Sequence, residues 1–159
     1  MNFSFIIPVY NRPEETKELL ESLVAQTDNA FEVVIIEDGS NITSEEIVKS
    51  FSSKLNILYL FKENTGPGDS RNYGTKNASG DYFIILDSDC IIPEDYLFHV
   101  TKSLNSDYVD CFGGPDAALA SFSDIQKAIN FTMTSFLTTG GIRGGSEKVA
   151  QFQPRSFNM

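Results

Sequence analysis

The chain has 159 residues, 41% of them apolar and 12% aromatic, with thirteen Phe, six Tyr and no Trp. A chain of that size and composition can bury a sizeable core without disulfides or a structural metal, which excludes disorder throughout. Its formal charge of −10, from 22 acidic and 12 basic side chains, argues against a nucleic-acid binder, which needs a basic face to displace counterions.

The charge is uneven. Residues 1–100 carry 17 acids and 7 bases, whereas residues 101–159 carry 5 of each. Glycine also clusters late, at Gly140, Gly141, Gly144 and Gly145. No stretch approaches the roughly 20 apolar residues that span a bilayer. The opening run lacks preceding basic residues and reads as a strand, not a signal peptide. Cys90 and Cys111 fit neither a disulfide framework nor a zinc spacing, and read as free, buried thiols of a reducing compartment.

Apolar runs alternate with helical patterns. Residues 3–8 form a short β-rich run. Residues 13–26 follow with Thr16, Leu19, Leu20, Leu23 and Val24 on one helical face, opened by Pro13 with Glu14 and Glu15 favouring the dipole. Residues 31–36 make a second strand. Thr43 and Glu46 form a capping-box pattern ahead of Ile47, Val48 and Phe51. Residues 57–61 read as a third strand and 68–78 as a helix. Residues 82–86 make a fourth strand, whose continuous apolar character predicts burial on both faces. Pro93 opens a helix with Glu94 and Asp95 in its first turn and Leu97, Val100 and Leu104 inward. Residues 108–112 suit a fifth strand. Residues 123–137 suit a last helix, with Ile125, Ala128, Ile129, Met133 and Phe136 on one face.

This alternation predicts an α/β fold: a mostly parallel sheet with helices on both faces. Ligands of such sheets bind outside the carboxyl ends of the strands, near the point where strand order reverses. The residues just after each strand are Pro8, Val9, Tyr10 and Asn11; then Glu37, Asp38, Gly39 and Ser40; then Gly66 to Arg71; then Asp87, Ser88 and Asp89. Singly, each loop has an ordinary reading: Gly39 and Gly66 as turn residues, Asp38 as an Asx turn. Four at one edge point to a site.

Asp87-Ser88-Asp89 is the sharpest element. Two carboxylates at the end of a buried strand repel and are costly to desolvate without a cation. A hard divalent cation, Mn²⁺ or Mg²⁺, suits them, keeping waters and taking one or two carboxylates plus ligand phosphates. An EF-hand fails on Ile91 and Ile92. A haloacid-dehalogenase-like phosphatase with Asp87 as nucleophile is a remote alternative, because Ile91 stands at its fifth position. Gly66-Pro67-Gly68 fails the dinucleotide pattern at Arg71, and no P-loop run exists. His99, the only histidine, lies beside the inward stripe of its helix and reads as exposed.

Together these loops resemble family 2 glycosyltransferases with the GT-A fold. The matching segments are IIPVYN at 6–11, IIEDGS at 35–40, NTGPGDSRNYG at 64–74 and ASGDYFIILDSD at 78–89, in the family's order. The resemblance implies transfer of a sugar, with inversion, from a nucleotide-diphosphate donor, a UDP-sugar above all, to a hydroxyl acceptor in polysaccharide or glycoconjugate synthesis. It implies that Pro8, Tyr10 and Asn11 lie against base and ribose. Asp38 would contact the base, Arg71 the base or pyrophosphate, and Asp87 the ribose or sugar. Asp89, with Asp87, would hold the metal. Glu37 replaces a more usual Asp, and Cys90 stands where many members carry another acid.

The family's general base lies in a later acidic motif, which is not visible here. Asp116 is the best remaining candidate, and the base itself is expected beyond Met159. The resemblance thus divides the chain into a nucleotide-sugar-binding region, 1–115, and an incomplete acceptor-side region, 116–159. A binding fragment without turnover is the alternative. A cytoplasmic location is expected, with peripheral attachment at the inner membrane face as its narrower form.

Overall fold

A computed structural model describes residues 1–113 and 123–135. Residues Met1–Tyr108 form one compact unit. Within it the elements alternate: β1 (Phe3–Val9), α1 (Pro13–Val24), β2 (Phe31–Asp38), α2 (Glu45–Phe51), β3 (Ile57–Lys62), α3 (Pro67–Asn77), β4 (Tyr82–Ile85) and α4 (Tyr96–Ser106). The described part of the second unit, from Val109 onward, holds α5 (Asp124–Thr134).

The four strands lie in the order β3-β2-β1-β4, and every pairing is parallel. The chain builds outward from β1 to β3, then crosses back to place β4 on the other side of β1. Strand order therefore reverses between β1 and β4, and a crevice opens beyond their carboxyl ends.

Both faces carry helices, as the sequence predicts. On one face, Phe5, Ile7, Val33, Ile35 and Ile84 pack with Leu19, Leu20 and Leu23 of α1, Val48 of α2 and Leu97 and Val100 of α4. On the other, Ile6, Val34 and Ile36 form a smaller core. The helix over it, α3, is polar and buries only Ser70 and Gly74. Its small residues let the helix backbone approach the sheet closely: a Cβ on Gly74 would stand 2.6 Å from Ile36 Cδ1 and 2.7 Å from Ile6 Cγ2.

Several expectations are corrected. Strand β4 is not buried on both faces, because Phe83 and Ile85 are each 41% exposed. Helix α3 lies over β1 and β2 and leaves that side of β4 open. Residues 108–112 form no strand. Asp110 breaks the run with a residue that strands disfavour. Thr43 does not cap α2; Ser44 stands at the N-cap without a capping side-chain bond, and its N–H donates to Glu37 Oε2 (2.8 Å). Glu94 and Asp95 precede α4. Cys111 is exposed, while Cys90 is half-buried. Helix α5 does carry a capping box, built by Ser123 and Gln126. Ile125 and Ile129 of its predicted stripe are exposed; Phe136, Asp116 and the late glycines lie outside the described residues.

At the amino edge of the sheet, one knot fixes where β4 begins. Glu32 Oε1 accepts from Ser4 Oγ (2.6 Å) and from the N–H groups of Ser79 (2.5 Å) and Gly80 (3.2 Å). Burial acts to raise the Glu32 pKa, but these donors outweigh it and hold it below the ordinary value. A Cβ on Gly80 would fall 2.3 Å from Ser4 Oγ and 2.9 Å from the Ser4 backbone nitrogen. Gly80→Ala should therefore lower stability by about 1–3 kcal/mol, read as an earlier midpoint in urea denaturation.

Candidate nucleotide-binding site

The crevice at the β1/β4 reversal holds a pocket of about 320 Å³ lined by Pro8, Val9, Tyr10, Arg12, Asp38, Pro67, Asp87, Ser88 and Asp89. Five of the residues singled out in the sequence thus meet there: Pro8, Tyr10, Asp38, Asp87 and Asp89. Pro8 and Tyr10 leave the end of β1, and the Tyr10 ring is half-exposed.

Asn11 is a loop pin. Its φ of +53° lies in the left-handed region, which Asn tolerates better than most residues. Its N–H donates to Ser40 Oγ (2.8 Å), and its Oδ1 accepts from the N–H groups of Asn41 (2.8 Å) and Ile42 (3.1 Å). The loop after β2 is thereby fastened to the loop after β1. Glu37 braces it from beneath: fully buried, it accepts from Ser40 Oγ, the Ser44 N–H and the Tyr59 hydroxyl (3.1 Å). Burial and the adjacent Glu37 charge push the Tyr59 phenol up, so it stays protonated and donating.

Asp38 joins the loops after β2 and β3. Its Oδ1 accepts from Lys62 Nζ (2.5 Å) and the Thr65 N–H (3.0 Å), and its Oδ2 from the Gly66 N–H (2.9 Å). Asn64 Nδ2 donates to the Asp38 carbonyl (2.8 Å). The two loops approach so closely that a Cβ on Gly39, at φ +70°, would stand 2.6 Å from the Asn64 nitrogen.

The Asp-Ser-Asp carboxylates are each held by a guanidinium. Arg71 Nη2 lies 2.7 Å from Asp87 Oδ1, and Arg12 Nη1 lies 2.5 Å from Asp89 Oδ2. The demand for positive charge read from the sequence is thus met by protein side chains. Arg71 Nε is buried with no partner among the described residues. Arg12 and Lys62 escaped the sequence reading. Their signal was position: each basic residue stands at the carboxyl end of a strand, in a stretch poor in bases.

The donor set suits a hard divalent cation. Asp87 and Asp89 sit on one short loop, with side chains 64% and 51% exposed. No group of three or more His, Cys, Asp or Glu gathers among the described residues. Two exposed carboxylates without a closed cage are the arrangement that leaves coordination positions for water and ligand phosphate.

The chain matches the family model for Glycosyl transferase family 2 over residues 4–156. It belongs to that family. It is 40% identical over 107 residues to an uncharacterized glycosyltransferase of Rickettsia bellii, an overlap covering 67% of this chain and 15% of the relative. It is 40% identical over 100 residues to the glycosyltransferase GlyA of Streptococcus pneumoniae, covering 62% of this chain and 14% of GlyA. Among solved structures, residues 1–349 of S. aureus TarS in complex with UDP-GlcNAc superpose with a TM-score of 0.65 and 30% identity, over 76% of this chain and 39% of that one. TarS is a poly(ribitol-phosphate) β-N-acetylglucosaminyltransferase. These neighbours establish the GT-A fold. The chain spans only a minor part of each relative's length, and the family match leaves the phosphatase reading of Asp87 without support.

Asp38 gives the site a pH signature. Burial raises its pKa, but the bonds from Lys62, Thr65 and Gly66 outweigh burial and hold it below its ordinary value of 3.8. Its contribution to stability is therefore complete above that value and is lost as pH falls through the lower, folded pKa. Asp38→Asn should cost about 1–3 kcal/mol near neutral pH. In denaturation series from pH 7 to pH 2, the gap between wild type and variant should narrow only below about pH 4.

Proposed function

We propose that this chain supplies the donor site of a divalent-cation-dependent glycosyltransferase. In this reading a sugar moves, with inversion, from a UDP-sugar to a hydroxyl acceptor in polysaccharide or glycoconjugate synthesis. The observation that carries the reading is the pocket at the β1/β4 reversal, where an aromatic ring, a buried acceptor carboxylate, two exposed carboxylates and a guanidinium converge. The TarS complex with UDP-GlcNAc, on the same fold at 30% identity, supports the choice of nucleotide.

Each group has work that fits its chemistry. Pro8 and Tyr10 offer a flat surface for a base. Asp38 Oδ2 accepts a single protein bond, so it keeps a lone pair for an N–H donor such as a uracil imide. Asn11 acts through the loop it pins. Arg71, whose guanidinium stands beside Asp87, reaches the diphosphate. Asp89 holds the cation, Mn²⁺ or Mg²⁺, with Asp87 beside it, toward the ribose or sugar. The cation's contribution, when bound, is positive charge at the departing diphosphate.

Inversion also requires a base on the far side of the sugar. The pocket's carboxylates among the described residues are Asp38, Asp87 and Asp89, and each is already held by a cation. We place the base outside the described residues. Asp116 stays a candidate, as does the additional length that the relatives carry. No described helix is long and apolar enough to cross a membrane. We propose that the enzyme works on the cytoplasmic side, where it would meet nucleotide-sugars.

Calorimetric titration of UDP into the chain, with and without Mn²⁺, tests the reading. Binding should strengthen with Mn²⁺, and Asp89→Asn should remove that gain, weakening binding by about tenfold or more. UDP binding that ignores both Mn²⁺ and the substitution would sink the proposal.

A further inference from the structure

Arg12 is the charged pocket residue that the proposed donor chemistry leaves unused. It immediately precedes α1, and its backbone is anchored there. The Arg12 carbonyl accepts from both the Thr16 N–H (3.0 Å) and Thr16 Oγ1 (2.7 Å), and Thr16 is buried. The side chain, by contrast, is 47% exposed, and Asp89 is the guanidinium's partner among the described residues. A fixed stem thus carries a charged head that can swing across the pocket.

The guanidinium stands on the carboxylate that the proposed function gives to the metal. A dication and a guanidinium both in contact with Asp89 Oδ2 would repel each other across a few ångströms. The displaced head needs a new anion. A diphosphate bound in the same pocket offers one, with the paired oxygens that a guanidinium fork matches. The exposure of the Arg12–Asp89 pair makes exchange easy, since such pairs are weakly held. The Lys62–Asp38 pair, with side chains only 13% and 5% exposed, is of the opposite kind.

We propose that Arg12 is an exchangeable counter-cation. It neutralises Asp89 while the donor is absent, and moves to the donor's diphosphate when a divalent cation takes Asp89. The proposal rests on the reading of Asp89 as the cation's ligand. It makes Arg12 a competitor of the metal and a partner of the nucleotide, so one substitution should change the two affinities in opposite directions.

Mn²⁺ binding to the nucleotide-free chain, read by the EPR signal of free Mn²⁺, gives the first sign. Arg12→Gln should bind Mn²⁺ about two- to fivefold tighter than wild type, with Arg12→Lys in between. Lys17→Gln, which removes the same charge one turn along α1, should leave it unchanged. Calorimetry with UDP at saturating Mn²⁺ gives the second sign: Arg12→Gln should bind UDP about tenfold more weakly. Unchanged or weaker Mn²⁺ binding in Arg12→Gln would overturn the exchange, as would an equal gain in Lys17→Gln or an unaltered UDP affinity. Asp89→Asn separates the two levels. If it binds Mn²⁺ as wild type does, the metal reading fails and the exchange with it. If it loses Mn²⁺ while Arg12→Gln gains nothing, the exchange alone fails.

Discussion

The carboxylate of Asp38 is the tie that the carboxyl edge of the sheet depends on. It ends β2, yet its donors come from the end of β3 and the entry to α3. Without it the Gly39 turn and the Thr65–Gly66 turn would keep the Asn64 bond to the Asp38 carbonyl but lose the three bonds to the carboxylate. Their contact sets where α3 starts, and α3 in turn carries Arg71 to Asp87. The position of the guanidinium beside Asp87 is therefore inherited from a buried acid two strands away. Such a carboxylate, desolvated but held by three donors, is stable only while each donor stays in place.

Burial sorts the ion pairs of this edge into two kinds. Lys62 and Asp38 are almost wholly enclosed, whereas Arg71–Asp87 and Arg12–Asp89 are open to solvent. An exposed pair contributes about 0–1 kcal/mol, so opening it costs the fold little. A buried pair that loses one partner leaves a stranded charge, at a desolvation cost of about 1–3 kcal/mol or more. The enclosed pair is thus suited to hold shape, and the open pairs are suited to give up their partners to a ligand. The same acids that make the chain so negative before residue 100 are, in the proposed donor site, already balanced by cations that a phosphate could claim.

The sheet was legible because its strands are short apolar runs separated by helical spacing, and the site was legible because polar residues cluster after every one. Pro8, Tyr10, Asp38, Asp87 and Asp89 fall into one pocket on that logic alone. What stayed hidden were long-range partners. Nothing in the spacing of Arg12 and Asp89 indicates that they touch, since the crossover that places β4 beside β1 brings them together. Burial of β4 was misjudged for a related reason. A continuous apolar run reports a preference for burial, while the actual cover depends on where α3 lies, and α3 follows β1 and β2. The shift of the α2 cap from Thr43 to Ser44 has its own cause: the Ser44 N–H is claimed by Glu37, a buried acid whose needs local pattern does not reveal.

Glu32 and Glu37 show why charge balance, and not acidity, marks the site. Both are carboxylates with several partners, like Asp38 and unlike Asp87 and Asp89, for each of which one guanidinium is the side-chain partner. Yet Glu32 is held by a serine hydroxyl and two backbone N–H groups, and Glu37 by two hydroxyls and a backbone N–H. Neutral donors of this kind belong to the fold itself and cannot leave without unravelling a turn. Guanidinium heads on long stems can leave, because nothing in the backbone depends on them. The sheet therefore keeps its immobile acids at the amino edge and beneath the loops. It sets its exchangeable ones at the strand-order reversal, where the proposed donor and its cation would enter.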